Sequence, residues 1–105
     1  MNIMQIMKQA QNVQAKLKES QKQLADMELM GEAGSGAVKI ICDGQGKFKS
    51  IKLDSEALSI SSENAEELED LISVAMKQAS DKASKEMESK MKAATGGLNI
   101  PGLNF

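Results

Sequence analysis

The stretch GEAGSGAVKIICDGQGKFKSIKLD, residues 31–54, decides the fold of this chain. It is rich in glycine, whereas residues 1–30 and 55–95 contain none and have long helical patterns. Within the stretch, Val38, Ile40 and Cys42 recur at every second position, which is the period of a β-strand with one apolar face. The stretch therefore predicts a small antiparallel sheet between two helices.

Two turns divide this stretch into strands. The sequence DGQG at residues 43–46 predicts a tight hairpin, because Asp-Gly supplies the backbone angles that such turns require. The sequence GSG at residues 34–36 predicts a bend after an earlier short strand near residues 27–32. A third strand carries the apolar residues Phe48, Ile51 and Leu53. Its odd spacing predicts either a bulge near Lys49 and Ser50 or one outward-facing residue.

A long helix is predicted on each side of the sheet. Residues 3–28 place a nearly continuous apolar seam at the a and d positions of a heptad repeat. The seam consists of Ile3, Ile6, Ala10, Val13, Leu17, Ser20, Leu24 and Met27. So narrow a seam indicates a partner helix, within the chain or across a dimer. Residues 62–94 form the second helix, with Ser61 and Ser62 as N-cap and carboxylates in its first turns.

The predicted fold class is α+β, with element order α-β-β-β-α and a three-stranded antiparallel sheet at residues 29–54. Residues 1–95 form one domain, and residues 96–105 form an apolar Gly-Pro tail that is either disordered or docked on its own or a partner chain. Such a plan buries little apolar surface in a 105-residue monomer. The chain has two aromatic residues and eight methionines, and methionine specifies a core weakly. Association with a second copy is therefore expected.

The composition excludes most enzyme chemistry. The chain has no His, Tyr, Trp or Arg, and its one cysteine, Cys42, lies in the apolar strand, where we expect it to be buried in a reducing cytosol. The glycines do not form a phosphate loop, because Ala37 stands where the phosphate-binding lysine is required. No apolar run is long enough to span a membrane. We expect a cytoplasmic protein that is not an enzyme and uses no cofactor, metal or small-molecule substrate.

The lysines are segregated from the carboxylates along the chain. The net charge is only −2, yet residues 63–70 hold five carboxylates while lysines cluster in both helices. All thirteen basic residues are lysine, so the guanidinium group that reads guanine is absent and nucleic-acid contacts would be mainly with phosphates. The alternative is a solvated charged face. The candidate DNA-contacting residues are Lys8, Lys16, Lys18, Lys22, Lys85, Lys90 and Lys92.

Four segments together are characteristic of one family. They are GEAGSGAVKI at 31–40, DGQGKFKSIKLD at 43–54, AEELEDLISVAMKQA at 65–79 and TGGLNIPGL at 95–103. In these segments the chain resembles the YbaB/EbfC family of small bacterial nucleoid-associated proteins. The resemblance implies a homodimer whose sheets pair at the centre while its helices project as tweezer-like arms. It also implies binding of double-stranded DNA with little sequence specificity, changing DNA conformation, nucleoid organisation and gene expression.

This resemblance gives the candidate residues their roles. We expect the seven lysines to contact phosphates of DNA in the nucleoid, and the acidic start of the second helix to stay away from DNA. We assign the dimer interface to Val38, Ile40, Phe48, Ile51, Leu53, Leu17 and Leu24. The alternative is a dimeric adaptor that binds another protein through its methionine-rich helices or its apolar tail.

Overall fold

The computed structural model describes residues 2–56, 58 and 62–96. Its elements are α1 (Ile3–Ala25), β1 (Leu29–Ala33), β2 (Val38–Cys42), β3 (Phe48–Leu53), a 3₁₀ turn (Ser62–Asn64) and α2 (Ala65–Thr95). The strands form one antiparallel sheet in the order β1-β2-β3. The predicted α-β-β-β-α order is confirmed. Tail residues 97–105 and the predicted capping residue Ser61 lie outside the described residues.

Both glycine-containing turns are β-hairpin turns, as predicted. Gly34, Ser35 and Gly36 connect β1 to β2 with φ angles of 63°, 55° and 88°, a region that glycine enters without strain. In the second turn, Asp43 Oδ1 accepts hydrogen bonds from the backbone N–H groups of Gln45 (2.8 Å) and Lys47 (3.0 Å). Each turn connects one strand to the next, so neither has the strand-to-helix context of a phosphate loop.

A β-bulge at Lys49 explains the irregular spacing of β3. Ile41 pairs with Ser50, but Cys42 pairs with Phe48, so Lys49 is the additional residue on β3. The bulge restores Phe48 to the apolar face of the sheet. On that face Phe48, Ile51 and Leu53 lie opposite Cys42, Ile40 and Val38. The predicted bulge near Lys49 and Ser50 is therefore confirmed.

The core lies between the sheet and α2. Ala33, Val38, Ile40 and Cys42 pack with Ala75, Ala79 and Ala83 of α2. Cys42 is completely buried, as predicted, and its Sγ donates a hydrogen bond to the carbonyl oxygen of Ala79 at 3.4 Å. Burial raises the pKa of the Cys42 thiol, and the nearby charge of Asp43 raises it further. Cys42 therefore remains a protonated packing residue.

The predicted helix boundaries need two corrections. α1 was expected to reach residue 28 but ends at Ala25, because the N–H of Gly44 donates to the carbonyl oxygen of Leu24 at 2.8 Å. In a longer helix that carbonyl would accept from Glu28. The 3₁₀ turn precedes α2, so the N-cap position of α2 is Asn64 rather than the predicted Ser62.

The two helices pair over the part of the α1 seam that lies nearer the sheet. Ser20 and Leu24 are buried, whereas Ile3 and Ile6 are 75% and 51% exposed. The partner helix predicted from the seam is α2 of the same chain, since these two elements are in contact. The result is an elongated molecule with extents of 69 × 22 × 18 Å. The sheet and the first half of α2 are called the hub below; α1 and the second half of α2 are called the arm.

Candidate nucleic-acid interface

Side chains from both helices hold the arm together. Ser20 and Leu24 of α1 and Met91 and Ala94 of α2 are all buried. Lys90 Nζ donates a hydrogen bond to Gln23 Oε1 across the pair at 2.9 Å. Because α2 leads away from the hub while α1 leads toward it, the helices are antiparallel. The arm is therefore a two-helix unit rather than two independent helices.

The second hairpin turn fastens α1 to the hub. The N–H of Gly44 donates to the carbonyl oxygen of Leu24 at 2.8 Å, and Gln45 Nε2 donates to the carbonyl oxygen of Gln21 at 3.1 Å. The first bond satisfies a carbonyl group in the last turn of α1, where a helix leaves its carbonyl groups without intrahelical partners, and the second adds a side-chain contact just before that turn. The turn thereby fixes the direction in which α1 leaves the sheet.

α2 is fastened to β1 by side chains that reach the strand backbone. Lys82 Nζ donates to the carbonyl oxygen of Met30 at 2.6 Å, and Gln78 Oε1 accepts from the N–H of Glu32 at 3.1 Å. Between these contacts, Gly31 brings the backbone of β1 directly against Ala75 and Ala79. Both helices of the arm therefore have fixed positions relative to the sheet.

All seven predicted lysines lie on the arm, and most of them face solvent. The exposed members are Lys8, Lys16, Lys18, Lys22, Lys85 and Lys92. Lys90 is half-buried beside Gln23. Lys92 Nζ lies 3.5 Å from Glu88 Oε1, but both side chains are highly exposed, and such surface pairs are weak. The lysine ammonium groups are thus accessible to a polyanion.

The carboxylates of residues 63–70 lie at the opposite end of α2 from these lysines. Leu68 of this segment, and Leu71 and Ile72 just after it, pack against the core under the sheet, which places the acidic turns at the hub. Glu67 and Lys92 are separated by about 37 Å along the helix at 1.5 Å per residue. The charge segregation of the sequence is therefore also a segregation in space.

A second group of lysines, not among the predicted DNA-contacting residues, lies on the hub. Its members are exposed and lie on or beside β2 and β3: Lys39, Lys47, Lys49 and Lys52. Lys39 and Lys52 are directly opposite each other in the sheet register. The two-residue period of the strands could have identified Lys39 and Lys52. They alternate with the apolar residues of β2 and β3 and therefore lie on the opposite face of the sheet.

An apolar patch remains uncovered on β3. α2 packs against β1 and β2 but leaves Phe48, Ile51 and Leu53 48%, 49% and 40% exposed. Ile72 and Met76 border the patch, which includes a depression of about 310 Å³. β3 is also an edge strand of the sheet. β3 therefore presents an exposed apolar surface at an open edge of the sheet.

The other residues assigned to the dimer interface lie elsewhere. Val38, Ile40 and Leu24 are at most 3% exposed, and they reach this burial within a single chain. Leu17 is half-buried in the arm. The structure thus brings Phe48, Ile51 and Leu53 together as an accessible surface but places Val38, Ile40 and Leu24 beneath other elements.

The described residues contain neither a membrane-spanning helix nor a cluster of metal ligands. In residues 2–56, 58 and 62–96, no helix has the length and apolarity required to cross a membrane. The same part of the chain contains no group of three or more His, Cys, Asp or Glu residues placed to hold a metal ion.

Comparison with known proteins agrees with this geometry. The model of the YbaB/EbfC DNA-binding family matches residues 1–98. A nucleoid-associated protein of Nostoc punctiforme is 42% identical over 95 residues, covering 90% of this chain and 80% of that protein. One of Rickettsia akari is 39% identical over 100 residues, covering 95% and 92% respectively.

A solved structure also shares the fold. The crystal structure of an uncharacterized protein from Helicobacter pylori aligns with a TM-score of 0.74 at 15% sequence identity, covering 85% of this chain and 91% of that one. The matching family is defined by DNA binding rather than by catalysis, in agreement with the expectation that this chain is not an enzyme. With the family model matched over residues 1–98, the chain belongs to the YbaB/EbfC DNA-binding family.

Proposed function

We propose that this protein binds double-stranded DNA as a homodimer, with little sequence specificity, and alters the conformation of DNA in the nucleoid. The observation that carries the proposal is the exposed set of arm lysines, held on a rigid two-helix unit away from the acidic turns of the hub. Its relatives named as nucleoid-associated proteins support the location.

Lysine ammonium groups suit contacts with phosphates rather than with bases. They are compact charges without the planar fork of arginine, and phosphate contacts carry no sequence information directly. Lys8 and Lys22 are about 21 Å apart along α1, a length that corresponds to roughly six phosphates at 3.4 Å spacing on one strand. One arm can therefore follow the backbone of DNA for about half a turn.

The dimer supplies the second arm. Pairing two copies through the apolar patch of Phe48, Ile51 and Leu53 removes exposed apolar surface from water. Because each arm is fastened to its own sheet, the dimer sets the spacing and direction of both arms. DNA held by both arms must adapt to that spacing, which is how binding changes its conformation.

The decisive test is the salt dependence of DNA affinity, measured by gel shift with competitor DNA and by anisotropy on two unrelated duplexes. The logarithm of the affinity should fall with the logarithm of salt concentration, with a slope of about −0.9 per phosphate neutralised. Both duplexes should give similar affinities. An affinity that does not change between low and moderate salt would exclude phosphate contact as the mechanism.

Charge reversal tests where DNA binds. The double variant Lys16→Glu, Lys18→Glu should lose at least about tenfold in affinity at low salt, because it replaces two attractive charges with repulsive ones. The matched control is Lys47→Glu, Lys52→Glu, which changes the net charge equally but on the hub. Equal losses in both variants would contradict binding by the arm.

A dimeric adaptor is the competing function, and one observation favours it. Ile3, Met4, Ile6 and Met7 are 51–78% exposed at the tip of the arm, and methionine-rich surfaces suit adaptable protein partners. A partner held by these apolar contacts would be insensitive to salt and to the reversal of Lys16 and Lys18. The two experiments above therefore distinguish the adaptor from the DNA-binding protein.

A further inference from the structure

The arm contains an apolar groove that begins where α2 ends. It is formed by Ile6, Ala10, Val13 and Leu17 of α1 together with the last residues of α2, and its volume is about 620 Å³. This volume is within the range of roughly 300–1,000 Å³ that is typical of ligand pockets. The groove is therefore large enough to receive several side chains.

The groove exists because α2 ends before it reaches the N-terminal half of the α1 seam. Near the hub, Leu24 of this seam is 1% exposed beneath α2. Beyond the end of α2 the seam continues with the same spacing, but Ile6 and Ile3 are 51% and 75% exposed. The residues that line the groove thus have the same apolar spacing as the buried part of the seam, but no described element packs over them.

α2 stops beside this groove. Gly96 ends the helix in the left-handed conformation, with φ of 64°, and is itself one of the residues that line the groove. The sequence that follows is GLNIPGLNF, residues 97–105, which carries no charged side chain and four large apolar ones. They are Leu98, Ile100, Leu103 and Phe105.

The direction and length of this segment fit the uncovered seam. Lys90 of α2 contacts Gln23 of α1, whereas Gly96, six residues later, lines the groove together with Leu17. Because the two helices are antiparallel, later residues of α2 lie beside earlier residues of α1. The uncovered part of α1 beyond the level of Gly96 therefore leads toward Ile3. Nine extended residues span about 30 Å, whereas Leu17 and Ile3 are about 21 Å apart along the helix.

We propose that residues 97–105 occupy this groove on the α1 helix of their own chain, where their apolar side chains cover Ile6, Val13 and Leu17. The tail then serves as a third layer of the arm and completes the seam that α2 leaves unfinished. Among the candidate DNA-contacting lysines, only Lys16 lines the groove. The docked tail therefore leaves Lys8, Lys18 and Lys22 accessible, and the proposal does not depend on DNA binding.

Paramagnetic relaxation measured on the full-length chain tests this position. A spin label is attached through Asn104→Cys in a Cys42→Ala background, and the reference is the same protein with a diamagnetic label. We expect loss of the methyl signals of Ile6, Val13 and Leu17, while those of Val38 and Ile40 remain. Methyl signals that are equally intense with both labels would overturn the proposal.

A mixed sample separates the chain's own tail from that of another copy. Isotope-labelled chains without the spin label are combined with spin-labelled chains without isotopes, so that only contacts between chains can broaden a signal. Under the proposal, the α1 methyl signals stay intact in this sample. Broadening of Val13 and Leu17 here would assign the groove to the tail of a partner copy and overturn docking within the chain.

Hydrogen exchange provides a second test with a matched control in the same tail. In the variant Leu98→Ser, Ile100→Ser, Leu103→Ser, the amide hydrogens of residues 6–17 should exchange with solvent at least about tenfold faster than in the unmodified chain. Local opening of α1 is easier without the apolar cover. The control Asn99→Ser, Asn104→Ser should exchange like the unmodified chain. Equal exchange in both variants would contradict the proposal.

Discussion

Gly31 determines how closely the sheet approaches α2. A methyl group on its Cα would overlap the carbonyl oxygen of Ala75 and lie 2.6 Å from the nitrogen of Ala79. Both neighbours are backbone atoms of a helix and cannot turn aside. We expect Gly31→Ala to lower the free energy of unfolding by about 1–3 kcal/mol, the usual cost of overpacking, as measured by urea denaturation.

The adjacent Met30 provides the control for this prediction. It lies on the outer face of β1 and is 40% exposed, so Met30→Ala should change the free energy of unfolding by only about 0.5 kcal/mol. A Gly31→Ala protein as stable as this control would show that the close contact is not required. The sequence placed Gly31 in a glycine-rich stretch, but its contact with α2 depends on a helix more than forty residues away and has no local signature.

At the scale of elements, the seam of α1 divides into a covered and an uncovered half. Leu24 is fully buried between the helix and the hairpin turn, and its side chain and backbone approach Gly44. Leu24→Ala should therefore cost about 2–5 kcal/mol in the free energy of unfolding, measured by urea denaturation. Met4→Ala at the arm tip, where the side chain is 78% exposed, should cost much less. Similar losses of unfolding free energy in both variants would contradict the division of the seam into a covered and an uncovered half.

Local rules predicted the elements well where local chemistry forms them. The DGQG turn and the bulge at Lys49 follow from backbone angles and from a period of two within a few residues. The end of α1 was predicted less well, because Gly44, nineteen residues beyond Ala25, takes the carbonyl of Leu24. The heptad pattern likewise treats Ile6 and Leu24 alike, since it contains no information about where α2 ends.

At the scale of the whole molecule, the sequence predicted which lysines are exposed better than it predicted which apolar residues are buried within one chain. Six of the seven predicted arm lysines are exposed within the described part of the chain, and the charge segregation behind them is visible in the sequence itself. The predicted dimer interface combines five apolar strand positions with Leu17 and Leu24 of α1. Strand period shows that Ile40 and Ile51 share a face but not that α2 covers the first and leaves the second exposed.

This difference leads to a prediction about assembly. We expect the protein to be a dimer at micromolar concentration by light scattering and sedimentation equilibrium, with Ile51 in the interface. Ile51→Glu buries an unpaired carboxylate there, at a cost of about 3 kcal/mol or more, so dimer affinity should fall on the order of a hundredfold. The circular dichroism of the monomer should be unchanged, because Ile51 is 49% exposed in a single chain.

Val74→Glu is the matched control for assembly, since Val74 is 50% exposed and lies two residues from both Ile72 and Met76, on a different face of α2. This variant introduces the same charge at a similar exposure but away from the β3 patch, and it should remain dimeric. A compact monomer of the unmodified protein would contradict the dimer itself. Dissociation of both variants alike would instead show that added negative charge, rather than loss of the β3 contact, separates the chains.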